Sequence, residues 1–250
     1  MVERSFLTIK FKEMKNIKIL YAFFILALAI TSCKHDDYFV GGTLHNPKVN
    51  MTTYDYLKSN KDQLFDTLLL IVDKTGTKDK INQSGVTFFA PTDYSIKAYL
   101  LNKTLEAQRK DPAKRYTIDT LIKYDLSHFT DSINVYIIPS KVEASALNDK
   151  GTLFQTAKAT VKSVVSYEYT DDVNLGYNPN SANKPQIMYY TFLKKTLTPP
   201  IVASEISSAD GVRNRVQTSG IETTTGMLHV LENGKPDRTG HILYFSQKRN

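Results

Sequence analysis

Apolar residues recur at helical spacing through residues 52–76. Tyr54 and Leu57, then Leu64, Phe65, Leu68, Leu69 and Val72 follow at three and four residues, which places one apolar stripe on a helix or helix pair. Thr52 or Thr53 offers a side-chain oxygen to cap the start, and Gly76 permits a left-handed turn at the end. The period then switches. In Val86–Ala90, VTFFA, residues 86, 88 and 90 face one way and 87 and 89 the other, predicting a strand covered on at least one face. Pro91 has no amide hydrogen to donate and ends it, and Thr92 or Asp93 caps a helix that turns Ile96, Tyr99 and Leu100 to the core. Residues 103–116 are polar and read as a loop, and 118–129 return to helical spacing through Leu121, Ile122 and Leu126. Strand patterns follow at 133–138, 152–156, 161–170, 186–193, 213–218 and 227–231. The last of these leaves a Thr224-Thr225-Gly226 turn as a hairpin strand covered on both faces. Helices come early and strands late, so the expected class is α+β, with no internal repeat or low-complexity tract.

Residues 19–30, ILYAFFILALAI, are an unbroken apolar run. Such a helix spans about 18 Å, short of the roughly 30 Å of a bilayer core. With Lys15 and Lys18 before it and the small Ser32 after it, the run reads as an export signal, residues 1–32, with Met14 as an alternative start. Ile30-Thr31-Ser32-Cys33 resembles the lipobox of bacterial lipoproteins. That resemblance implies that Cys33 receives a diacylglycerol and becomes an acylated N-terminus after cleavage. Several acyl chains at about 0.8 kcal/mol per buried methylene anchor stably. Lys34, His35, Asp36 and Asp37 resemble the short acidic surface-export signals of some Gram-negative lipoproteins. Residues 33–48 then read as a lipidated tether. The expected location is the outer membrane, lipid-anchored, at the cell surface, with a periplasm-facing orientation as the alternative.

With 41% hydrophobic and 23% charged residues the chain is of globular type. A single cysteine excludes an internal disulfide framework and a zinc site built from several thiolates. The net charge is +7, but the first 33 residues hold five Lys/Arg against two Asp/Glu, leaving 27 against 23 for the rest. Those are scattered apart from Arg109, Lys110, Lys114 and Arg115, and Lys248-Arg249 in a tail, 235–250. With no basic helix or nucleic-acid module beside them they read as solvated, and nucleic acid is not an expected partner.

Motifs for a nucleophile elbow, a phosphate-binding loop, a metalloprotease helix or a dithiol are absent from the sequence, so the expectation is a protein without catalytic centre, metal or cofactor. His35 and His45 fall in the tether and His241 in the tail. His229 alternates with Met227 and Leu231 on an apolar face, as a hydrogen-bonded core histidine does. For His128 two readings stand open, a helix-end histidine satisfied by a carbonyl and a binding residue. Tyr167, Tyr169, Tyr177, Tyr189 and Tyr190 gather around one hairpin. A tyrosine offers a flat apolar face with a polar tip, suited to sugar rings or a protein partner; cross-strand packing is the other reading for those in the strands. The candidate binding residues are Tyr177, Asn178, Asn180 and Asn183 in the 171–185 loop, together with His128.

Taken in order, TTYDYLKSN with FDTLLLIVDKTG, VTFFAPTDYSI and GIETTTGMLHVLENG resemble the opening helices, the first block and the last block of a fasciclin domain. The resemblance covers residues 49–234, with added sequence near 103–116 and 171–185. It implies N-terminal helices packed on a sandwich or wedge of mostly antiparallel strands, and a role in adhesion or surface binding. The family often carries a Tyr-His pair in the middle helical region; His128 matches the histidine, and Ser127 stands where the tyrosine would be. The expected function is a lipid-anchored, non-catalytic module that binds an extracellular protein or glycan. The alternative is an accessory glycan-binding lipoprotein in an outer-membrane transporter complex for polysaccharide uptake. A third reading, of another class, is a hydrolase built on an insertion loop with His128.

Overall fold

In a computed structural model the described residues are 48–233. The export signal, Cys33 with Lys34, His35, Asp36 and Asp37, and the tail from 234 onward lie outside them. Three helices open the domain, α1 (Thr53–Lys58), α2 (Asp66–Thr75) and α3 (Lys78–Ile81), followed by β1 (Val86–Ala90) and α4 (Asp93–Gln108). Next come α5 (Ile118–Tyr124), α6 (Leu126–Val135) and β2 (Ile137–Ile138). Five strands close it: β3 (Thr152–Gln155), β4 (Lys162–Tyr169), β5 (Gln186–Leu193), β6 (Gly211–Glu222) and β7 (Gly226–Leu231). The class is α+β.

Seven strands lie in the order β2-β1-β7-β6-β5-β4-β3, and β1–β7 is the parallel pair among otherwise antiparallel neighbours. β6 joins the two halves of the sheet. Its first residues, 211–215, pair with β5, and its later ones pair with β7 through register shifts on either side of Thr218. Extra residues of this kind bend a strand and let one strand serve two partners. Gly220 takes the positive φ of +79° that the bend requires.

All five residues of β1 are buried, as are five of the six in β7. Both faces of this centre are covered, in part by α1 against β7 and α3 against β1, which is why β1 and β7 read as near-continuous apolar runs. Phe89 packs on Tyr190 at 4.5 Å between ring centres, and the buried Tyr190 hydroxyl donates to the Val135 carbonyl at the end of α6. Gly226 is forced by the parallel pairing: a Cβ there would stand 1.9 Å from the Val86 carbonyl oxygen.

Helix ends follow local chemistry only in part. The Thr52 hydroxyl accepts from Asp55 N at 3.2 Å, and α2 closes at Gly76 with φ +65°. Thr92 holds the N-cap position of α4 but makes no capping bond; its hydroxyl donates to Asn233 Oδ1 at 2.8 Å. Asp93, next to it, caps a different helix. Its two carboxylate oxygens accept from Thr67 N at 2.8 Å and Leu68 N at 3.0 Å, at the start of α2. A carboxylate there satisfies two orphan amides and opposes the positive end of the helix dipole.

Three expectations are corrected. Residues 103–108 are not loop: α4 continues to Gln108, because Lys103, Leu105, Glu106, Ala107 and Gln108 are strong helix formers despite their polarity. Only 109–117 connect to α5. Tyr116 holds that connection down, its amide donating to Thr104 Oγ1 at 3.0 Å and its hydroxyl to Asp125. Burial and the Asp125 carboxylate both push the Tyr116 hydroxyl pKa up. Residues 133–138 are not one strand: α6 runs through Val135 and only Ile137–Ile138 join the sheet. An evenly apolar run suits a buried helix end as well as a strand. The helical stretch 118–129 is split at Asp125 between α5 and α6.

Candidate binding site

β4 and β5 form the longest two-strand pairing, seven residues on each side, and their connection carries the predicted binding residues. Alternation along the pair divides its tyrosines between two faces. Tyr167 and Tyr169 share a face with Val165, Met188 and Tyr190, while Tyr189 lies on the opposite face. The tyrosines therefore do not form one platform. Tyr190 is fully buried and Tyr167 packs partly on the core, whereas Tyr169, at the outer end of β4, is 66% exposed. For Tyr167 and Tyr190, core and cross-strand packing is the reading that holds.

The loop itself is ordered by its own side chains. Thr170 N donates to the Pro185 carbonyl at 2.9 Å and Lys184 pairs with Asp171 at 2.9 Å, closing the neck. Lys184 holds the Asp171 carboxyl below the usual carboxylate range. The Asp172 carboxylate accepts from Asn174 N at 2.9 Å at the start of a 3-10 turn, Val173–Leu175, which Gly176 ends with φ +82°. Asn178 Oδ1 accepts from Asn180 N at 2.9 Å, a side-chain turn that fixes the tip. Asn178 is thus occupied in building the loop. The side-chain amides of Asn180 and Asn183 are exposed and make no hydrogen bond among the described residues. Tyr177 is half-buried, and its hydroxyl, after burial itself, helps push the Tyr167 hydroxyl pKa up. Tyr177, Asn178, Asn180 and Asn183 all belong to this one loop. Two further exposed side chains belong to the same hairpin, Tyr169 at the outer end of β4 and the 59% exposed Val173 in the loop; sequence reasoning counted Tyr169 only among the hairpin tyrosines and did not single out Val173. The signal for Tyr169 was its place as the last strand residue before a polar run.

His128 belongs to a different element, the first turns of α6. It is half-buried, with its ring edge-on to Phe129 at 6.3 Å. His229 is fully buried. Gly220 N donates to its Nδ1 at 3.0 Å and its Nε2–H donates to the Val142 carbonyl at 3.0 Å, with Phe89 stacked at 4.9 Å. Burial lowers its pKa to about 4, against a smaller raising effect of the Val142 carbonyl. It is the core histidine that its alternation predicted.

On the other sheet face Arg213 stacks on the Tyr189 ring at 3.7 Å and pairs with Glu168 at 2.6 Å, and Arg215 pairs with Glu232 at 2.7 Å. Sequence shows this only as the alternation Arg213-Asn214-Arg215. Among the described residues no group of three or more His, Cys, Asp or Glu is placed to hold a metal ion, and no helix is long and apolar enough to cross a membrane.

No curated protein matches the chain. Among solved structures, a FAS1 domain pair from the insect cell adhesion molecule fasciclin I is similar at 10% identity. The alignment covers 70% of this chain and 45% of that one, with a TM-score of 0.43. The fasciclin domain family matches residues 63–233, from the turn before α2 to just past β7. The helices from α2 onward, the parallel β1–β7 centre and the hairpin strands fall within that match, with α1 ahead of it, and the chain belongs to the fasciclin domain family.

Proposed function

We propose that this chain is a lipid-anchored, extracytoplasmic binding module that engages a cell-surface protein or glycan through the tip of the β4–β5 hairpin, without a catalytic centre. Fasciclin domains are typically adhesion and binding modules, which supports the general reading. The observation that carries the finer one is the braced loop. The exposed Tyr169 ring stands at the end of β4, and the free amides of Asn180 and Asn183 belong to the loop that follows, whose neck and turn are already held by Lys184–Asp171 and Asn178. A tip ordered before binding loses little further freedom on contact. The anchor rests on the lipobox resemblance at Cys33, and the surface location on Lys34, His35, Asp36 and Asp37.

Binding is tested with the full chain on intact cells and on an oligosaccharide array. Replacing Tyr169, Asn180 and Asn183 together by Ala should weaken binding at least tenfold while leaving the melting temperature unchanged. Unchanged binding by the triple variant would overturn the hairpin site. Cys33→Ala should abolish incorporation of labelled palmitate and release the protein from membranes, and retained label would overturn the anchor. Protease treatment of intact cells should degrade the domain if it faces outward; protection would assign it to the periplasm. A second reading, an accessory glycan-binding lipoprotein of a polysaccharide-uptake complex, is favoured by the pairing of an exposed aromatic ring with free amides. Calorimetry against oligosaccharides tests this second reading, and the absence of heat with every oligosaccharide would overturn it.

A further inference from the structure

Helix α4 is apolar on two sides. Ile96 and Tyr99 are buried against the domain, while Tyr94, Leu101 and Leu105 are 52%, 46% and 51% exposed. With the half-buried Ala98 these residues fall at 94, 98, 101 and 105, a four-three-four spacing. That is the seam of a heptad pattern, one straight apolar stripe about 17 Å long on a surface helix. A helix that faces only solvent carries polar residues at these positions.

The charge around the stripe is one-sided. Residues 94–115 contain six Lys/Arg and two Asp/Glu. Lys103 lies 3.5 Å from Glu106, but Lys97, Arg109, Lys110, Lys114 and Arg115 form no ion pair among the described residues. Lys97 lies over the Tyr94 ring at 5.7 Å, and the four others follow the end of the helix in RKDPAKR. A second copy of this chain would bring the same cations to the contact, which like-charge repulsion opposes. The heptad spacing fits a rod more closely than a flat surface.

We propose that the outer face of α4 docks an acidic amphipathic helix of a partner protein. Leucine-type residues of that helix would interdigitate with Tyr94, Ala98, Leu101 and Leu105, and its flanking carboxylates would meet Lys97 and the Arg109–Arg115 cluster. This surface belongs to a different element from the β4–β5 tip and does not depend on the lipid anchor.

The test uses the full chain in a neutral detergent and two dye-labelled synthetic helical peptides. Both carry Leu at heptad positions a and d; one has Glu at e and g, the other Lys. Fluorescence anisotropy should show the Glu peptide binding at least tenfold more tightly than the Lys peptide, with the advantage falling as salt rises. Leu101→Glu with Leu105→Glu should cut Glu-peptide binding at least tenfold at unchanged circular dichroism and melting temperature. Arg109→Glu with Lys110→Glu should remove most of the salt dependence. Equal affinity for the two peptides, or binding indifferent to the Leu101 and Leu105 changes, would overturn the proposal. So would two other results: flotation on phosphatidylglycerol over phosphatidylcholine vesicles that the same changes abolish, assigning the face to a membrane, and a dimer in sedimentation that they dissociate.

Discussion

His229 makes the stability of this domain depend on pH in a calculable way. Its ring is 0% exposed, accepts from Gly220 N at Nδ1 and donates to the Val142 carbonyl from Nε2. A proton added at Nδ1 would point at the Gly220 N–H and leave a charge in an apolar centre. The folded pKa of about 4 lies below the unfolded value of 6.5, so the unfolded chain binds more protons between the two. The stabilisation is therefore fully present above pH 6.5 and is lost as pH falls toward 4. At 1.36 kcal/mol per pKa unit the full loss is about 3 kcal/mol, of which about 2 kcal/mol is gone by pH 4.5. Carboxylates whose pKa is depressed by lysine partners, Asp171, Asp210 and Glu222, also lose stabilisation in acid. The His229→Gln variant separates the two effects because it keeps the carboxylates. Urea unfolding followed by far-ultraviolet circular dichroism, suited to a chain without tryptophan, gives stability for both proteins from pH 7 to pH 4.5. The variant starts lower at pH 7, by about 1–3 kcal/mol, for the lost acceptor of Gly220 N. The gap should then close by about 2 kcal/mol on acidification. Parallel curves would refute the assignment of His229 as a neutral core residue.

Two substitutions test the frame around β1. Asp93→Ala strips the carboxylate from Thr67 N and Leu68 N and should cost about 2–3 kcal/mol, a melting shift of roughly 4–12 °C, with Asp93→Asn intermediate because it keeps one acceptor oxygen. Thermal melts that place Asp93→Ala within about 0.5 kcal/mol of the parent, the range of ordinary surface changes, would show that the cap contributes nothing. Gly226→Ala puts a methyl group on the Val86 carbonyl and should destabilise by about 3 kcal/mol or more, with the β1–β7 amides losing hydrogen-exchange protection first. Normal protection in that variant would mean that β1 and β7 are not paired in this register.

The sequence by itself determined those features whose signals are local. The helical stripe from Tyr54 to Val72, the alternation of VTFFA, the Thr-Thr-Gly turn and the 186–193 strand each show their period or turn chemistry within a few residues, and each stands where it was expected. His229 belongs with them, because alternation alone put it on a buried face. Only the tertiary structure decided that β1 and β7 run parallel and adjacent, although 140 residues of sequence number separate Val86 from Gly226. It also decided that β6 serves both halves of the sheet, and that Asp93 caps α2 rather than its own helix. The hairpin tyrosines fell on opposite faces for the same reason, since residue type does not reveal which face of a strand a neighbour will cover. At α4, strong helix formers with polar side chains concealed the continuation of the helix over 103–108 and its outer apolar stripe. Local propensity fixes elements; which faces meet depends on contacts between residues far apart in the chain, and those exist only once it has folded.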